Sequence, residues 1–236
     1  MKKLGVHRLY FEDDSLLAKK ERVRSIFKAV REFGLQIAAV NGVNLLHLQK
    51  REQGRLVADR EYLELMKEAG FDMIVFPVES AVQRILDTYA PGKLNHSRMD
   101  VIELVKTAVS VGITCPINMM IGFPDETEAE MRESIELGKR LVDAGAEYCT
   151  FFIPIPFLGS RLCEIAMERG YLDPGFDPDI MNYKRPVLRN TVVPPGRILE
   201  LRDWAWREVN NREHVARRLK ESTGARWQDG APAATS

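Results

Sequence analysis

Five stretches of the chain break its polar background. They are "VHRLYF" near Val6, "LQIAAV" near Leu35, "FDMIVFPV" near Phe71, "TCPINMMI" near Thr114 and "EYCTFFIPI" near Glu147. Most are short continuous apolar runs, as parallel strands covered on both faces require. Between them the period lengthens. Val23, Ile26, Phe27 and Val30 form one helical stripe, and Val101, Leu104, Val105, Ala108 and Val109 another. Gly34, Gly70, Gly112 and Gly145 each stand where a helix closes before the next strand. The pattern predicts alternating strands and helices, an α/β fold with a parallel sheet built from βα units of roughly 30 to 40 residues.

The rhythm changes after Ile165. "GYLDPGFDPDIMNYKRP" reads as a loop, and "PPGRILELRDWAWREVNNREHVARRLKES" as a final helix with Ile198, Leu201, Ala205 and Val209 inward. Trp204 and Trp206 are expected to pack against the body of the fold. The domain organisation read here is a barrel over 1–172, a loop and helical extension over 173–222, and a disordered tail over 223–236.

Composition narrows the function. The 236 residues carry 34 basic and 34 acidic side chains, so no clustered excess of Lys and Arg points to nucleic acid. No run reaches the roughly 18 to 20 apolar residues of a membrane helix, and the first residues lack the apolar core of a signal peptide. A cytoplasmic location is the expectation. Cys115, Cys149 and Cys163 are far apart, with no C-x-x-C pair; each reads as a small buried hydrophobe. His7, His47, His96 and His214 show no ligand spacing, so no metal site is expected from this chain's own residues.

Candidate chemistry lies where the strands end. The first strand ends in "FEDDS", the third in "PVESA", the fourth in "GFPDET" and the fifth in "PIPFLGS". In parallel α/β folds the site gathers at the C-terminal ends of the strands. At the fourth end, Gly122 permits a turn or a close approach, Pro124 fixes the exit, and Thr127 with Glu130 has the spacing of a capping box. Asn41 and Asn44, after the second strand, either face a ligand or form a turn.

Four of these segments together resemble the radical S-adenosylmethionine (SAM) enzymes, most of all the group carrying a cobalamin-binding domain. They are "GVHRLYFEDDSLL", "LMKEAGFDMIVFPVESAVQRIL", "GITCPINMMIGFPDETEAEM" and "FFIPIPFLGSRL", and the resemblance runs from about Leu4 to Tyr171. It implies a partial TIM-type (β/α)6 barrel of parallel strands, present here as strands two to six and without the first βα unit, followed by a C-terminal helix. It also implies a [4Fe–4S] cluster on a C-x-x-x-C-x-x-C loop and cleavage of SAM to a 5′-deoxyadenosyl radical that modifies a small organic substrate, with cobalamin a possible second cofactor. That cysteine motif is absent from the sequence, which is expected of a truncated gene, a split enzyme or a degenerate one.

Carried onto this chain, the resemblance places Asp13, Asp14, Glu79 and Ser80 on SAM. Met120, Ile121, Gly122, Phe123 and Pro124 would wall the adenine. Asn41, Asn44, Phe152 and Pro154, with Pro156, would meet the substrate. Two other readings remain: a non-catalytic SAM or nucleotide-binding barrel, and an α/β-barrel enzyme that uses Asp13, Asp14 and Glu79 as acid, base or metal ligands. An exposed edge on the "VHRLYF" strand is expected to favour self-association.

Overall fold

The computed structural model describes residues 5–13, 16–172, 175–180, 186–214 and 216. The expected tail over 223–236 and Asp14 lie outside them. The five expected strands form, in the expected order and all parallel. β1 (Arg8–Phe11) pairs with β2 (Gln36–Ala39). Two antiparallel strands follow, β3 (Gln49–Glu52) and β4 (Arg55–Ala58). The segment "FDMIVFPV" then supplies both β5 (Phe71–Ile74), which pairs with β2, and β6 (Phe76–Glu79), which pairs with β7 (Ile117–Met120). β8 (Cys149–Phe152) completes the row on β7. Val75 N–H donates to the Ala39 carbonyl and Phe76 N–H to that of Pro116, so the two halves join as one arc.

Burial alternates with the pleat, as a strand period of two demands. Ile117, Met119, Cys149 and Phe151 are almost fully buried, while Asn118, Met120, Thr150 and Phe152 are half-buried. The buried set packs outward under helices α1 (Lys20–Arg31), α2 (Arg60–Ala69), α4 (Val101–Ser110) and α5 (Glu128–Asp143). The half-buried set lines the concave face. The arc is therefore a partial barrel whose core lies between strands and helices, and its inner wall stays accessible.

The helical stripes hold with two exceptions. Val109 is 36% exposed at the rim of α4, and Trp204 is 44% exposed rather than packed, lying under the Arg132 guanidinium. The final helix, α7 (Pro195–Val209), buries Ile198, Leu201, Ala205 and Val209. It follows two shorter helices, α3 (Gln83–Tyr89) and α6 (Arg161–Glu168). Just past α7, Asn210 serves as a substitute strand: its amide accepts from Cys149 N–H and donates to the Cys149 carbonyl, both at 2.8 Å. One side chain thereby satisfies backbone groups of β8 that another strand would otherwise pair. No described helix is long and apolar enough to cross a membrane.

The β3–β4 hairpin was not expected. Gln53 and Gly54 turn it with φ of 48° and 82°, the two positive values a type I′ turn needs.

Candidate cofactor and substrate site

The inner wall opens at the C-terminal ends of the strands into a cavity of about 640 Å3. β6 contributes Pro77 and Glu79, β7 Asn118 and Met120, and β8 Phe152. The loop after β2 adds Asn41 and Asn44, the loop after α3 adds Lys93, and Phe157, half exposed, completes the apolar lining. The lining mixes the two kinds: Glu79, Lys93 and Asn118 supply charge and amide, while Met120, Phe152 and Pro77 supply flat apolar surface.

Glu79 is the unusual member. Its φ is 69°, a left-handed conformation that costs a non-glycine residue about 1–3 kcal/mol and gathers at functional sites. Glu79 lies two residues after Pro77 and shares its inward face, and the register with β7 slips between them. It is only 7% exposed, and Lys93 Nζ donates to it at 2.8 Å. A carboxylate and an ammonium group side by side in a half-apolar cavity match the complementary pair of an amino acid, with apolar surface in the same lining for the rest of the ligand.

The structure separates several residues that the resemblance grouped. Ser80 is fully buried and points away from the cavity: its hydroxyl meets that of Ser134 on α5 at 3.2 Å and accepts from Val82 N–H. Asp13 is exposed and does not line the cavity. Pro154 and Pro156 are buried outside it, leaving Phe152 and Phe157 as its apolar mouth. Asn41 lines it while donating to the Glu12 carbonyl. Asn44 lines it while capping a short 3-10 turn at Leu45–Leu48, so both roles weighed for it coexist.

The Gly-Phe-Pro turn serves the scaffold. Of its residues and the two before it, only Met120 lines the cavity. Ile121 is in the core, and Phe123 stacks on Tyr89 with ring centres 4.7 Å apart. Gly122 has φ of 98°, and a Cβ there would stand 2.6 Å from Ile198 Cγ2 on α7. The close approach Gly122 permits is that of a helix. Pro124 is buried, and its carbonyl accepts from Val192 N–H. Thr127 and Glu130 form the full capping box of α5.

Glu126 organises this turn and was missed. It is fully buried, and one carboxyl oxygen accepts from Gly122 N–H at 2.7 Å and Phe123 N–H at 3.1 Å. The other oxygen has no partner. Burial pushes its pKa up to about 8, against the pull of those two N–H groups. Lys93 was missed too, because a lysine after a helix in "APGKLN" carries no sequence sign of the acid it will meet.

The residues present do not fit an iron–sulfur cluster. Cys115 and Cys149 are fully buried and Cys163 is 3% exposed. Burial pushes the Cys115 thiol up to about 12 and raises that of Cys149 as well, disfavouring the thiolate that iron binds. Among the described residues, no group of three His, Cys, Asp or Glu side chains stands ready for a metal. Of the three carboxylates in the metal-ligand reading, Asp14 lies outside the described residues, Glu79 lines the cavity and Asp13 does not.

Known proteins place this arrangement. The chain is 29% identical to cytidylyl-2-hydroxyethylphosphonate methyltransferase of Streptomyces wedmorensis over 190 residues, 78% of this chain and 33% of that protein. It is 31% identical to an uncharacterized methyltransferase of Pyrococcus horikoshii over 170 residues, 71% of this chain and 33% of that one. It thus spans about a third of the length of these relatives. The fold is shared with the radical S-adenosylmethionine methyltransferase TsrM from Kitasatospora setae, solved with cobalamin and a [4Fe–4S] cluster. That likeness has a TM-score of 0.52 at 14% identity and covers 90% of this chain and 39% of that one. Residues 4–138, more than half of the sequence, match the family model "Radical SAM superfamily", and the chain belongs to that superfamily.

Proposed function

We propose that this chain is the SAM-binding barrel of a radical SAM methyltransferase that acts on a small organic substrate. The observation that carries the reading is Glu79, held in a left-handed conformation in the cavity lining and paired with Lys93. Glu79 would take the ammonium group of SAM and Lys93 its carboxylate. Met120 would lie against the adenine, and Asn118 would offer its amide to the ribose. SAM supplies the reactive groups on its sulfonium; the residues of this chain bind, orient and shield it from water. The substrate would enter past Asn41, Asn44, Phe152 and Phe157.

The cluster, on this reading, is held by cysteines outside this sequence. Cobalamin use is part of the proposal, supported by the fold shared with a methyltransferase that was solved with it. Self-association through the outer edge of β1, whose only strand partner among the described residues is β2, belongs to the proposal as well, as does a cytoplasmic setting.

Calorimetric titration of the chain with SAM tests the assignment. Saturable binding is expected, weakened about tenfold or more by Glu79→Gln, since a charge-assisted hydrogen bond contributes about 1.5–3 kcal/mol. Absence of saturation, or equal affinity in wild type and variant, overturns it.

A further inference from the structure

A second concave region lies outside the barrel and shares no lining residue with the cavity above. It is a cleft of about 890 Å3 beneath the β3–β4 hairpin. Arg51 enters it from β3, Arg98 from the loop before α4 and Arg140 from α5, while Arg55, next to Arg51's cross-strand partner Leu56, borders it from the other face of the hairpin. All four are exposed, and none forms an ion pair among the described residues, whereas Arg8, Arg31, Arg60, Arg84, Arg132 and Arg197 all do. The lining offers them one carboxylate, Asp100, whose side chain is already engaged as the helix cap of α4. In a chain with equal numbers of acids and bases this is a concentrated local surplus of positive charge.

The cleft continues into a smaller cavity of about 390 Å3. Arg51, Leu56, Arg98 and Met99 line both, and Leu94 adds further apolar surface to the smaller one. Arg51 and Arg98 therefore stand where the cleft meets a pocket that is apolar along Leu46, Leu56, Leu94 and Met99 and also carries Gln83, Asp87 and Asn95. Both volumes are of small-molecule size. Arginine presents planar donor pairs that match the oxygens of a phosphoryl group, and several arginines can share one tetrahedral anion.

We propose that this cleft is a binding site for a phosphorylated small organic molecule, with the phosphoryl group on Arg51, Arg98 and Arg140 and the organic part along Leu56, Leu94 and Met99. The loop that carries Arg98 also carries Lys93 to Glu79 and His96 to the Ser80 carbonyl, so the cleft lies one loop away from the barrel cavity.

Titration of the full chain with inorganic phosphate, phenyl phosphate and citrate at fixed ionic strength tests this, with heats of binding as the readout. Phenyl phosphate is expected to saturate the site, at several-fold higher affinity than inorganic phosphate because of its ring. Arg51→Gln and Arg98→Gln are each expected to weaken it about tenfold, with thermal midpoints unchanged because both side chains are exposed. Arg161→Gln, in an exposed ion pair on α6, is expected to change nothing. Citrate binding as tightly as phenyl phosphate, equal affinity in all variants, or no saturable binding overturns the assignment.

Discussion

Glu126 makes a stability effect that can be worked from the structure. Its carboxyl group is buried, bonds two backbone N–H groups with one oxygen and leaves the other unpartnered. Burial raises its folded pKa to about 8 from an ordinary value of 4.5. The folded state thus holds a proton that the unfolded chain releases. The stabilisation this gives is fully present below the unfolded value and is lost as the pH rises through about 8. Between about pH 6 and about pH 9, linkage converts that shift into a loss on the order of 3 kcal/mol. Glu126→Gln keeps one carbonyl oxygen for Gly122 and Phe123 but has nothing to ionise. Urea denaturation of wild type and variant at the two pH values is the assay, and the difference between the two pH dependences isolates this residue. Wild type should lose about 3 kcal/mol more than the variant over the interval. Glu126→Ala, which strands both N–H groups, should cost about 2–4 kcal/mol at the lower pH. Parallel stability curves for wild type and Glu126→Gln would show that the buried carboxyl does not titrate as its surroundings require, and would refute the reasoning.

Other perturbations address the scaffold and the site. Gly122→Ala, strained at φ of 98° and pressed on Ile198, should cost on the order of 2–4 kcal/mol in thermal or urea unfolding; adding Ile198→Ala should be less than additive, because it removes the clash. Glu79→Gly should raise stability by about 1 kcal/mol through relief of the left-handed backbone while abolishing the contribution of this residue to SAM binding; a fall in both would contradict a strained functional acid. Asn210→Ala should cost about 2–4 kcal/mol, since two buried backbone groups of Cys149 lose their partner. Sedimentation should show dimers or larger species formed through the edge of β1, and a monodisperse monomer would count against that edge as an association site.

The parallel arc was legible because its outward residues, such as Ile117, Met119 and Phe151, sit in runs apolar enough to announce burial. The splitting of "FDMIVFPV" was not. Periodicity reports which residues are apolar, whereas the neighbour each half pairs with is set by the twist of the whole sheet. The hairpin escaped because its first strand, "QKRE", is wholly polar and its turn uses Gln-Gly rather than the more telling Asn-Gly. Glu79 was visible as an acid at a strand end; its partner Lys93, fourteen residues on, was not. Glu126 hid among the acids that start α5, since nothing local distinguishes a carboxylate that turns back into the core from one that faces water. Gly122 was recognised as a point of close approach, but what approaches it comes from α7, more than seventy residues later.

The central claim is that the accessible inner wall, and not the turn behind it, receives SAM. Met119 and Met120 are neighbours on opposite faces of β7, the first fully buried in the core and the second lining the cavity. Labelling the methionine methyl groups and recording their NMR signals while SAM is added measures the two faces at once. The account requires the Met120 signal to shift with saturation while that of Met119 stays in place, and the Met120 shift to need about tenfold more SAM in Glu79→Gln. A Met120 signal unmoved by SAM, or moved equally in the variant, would contradict it.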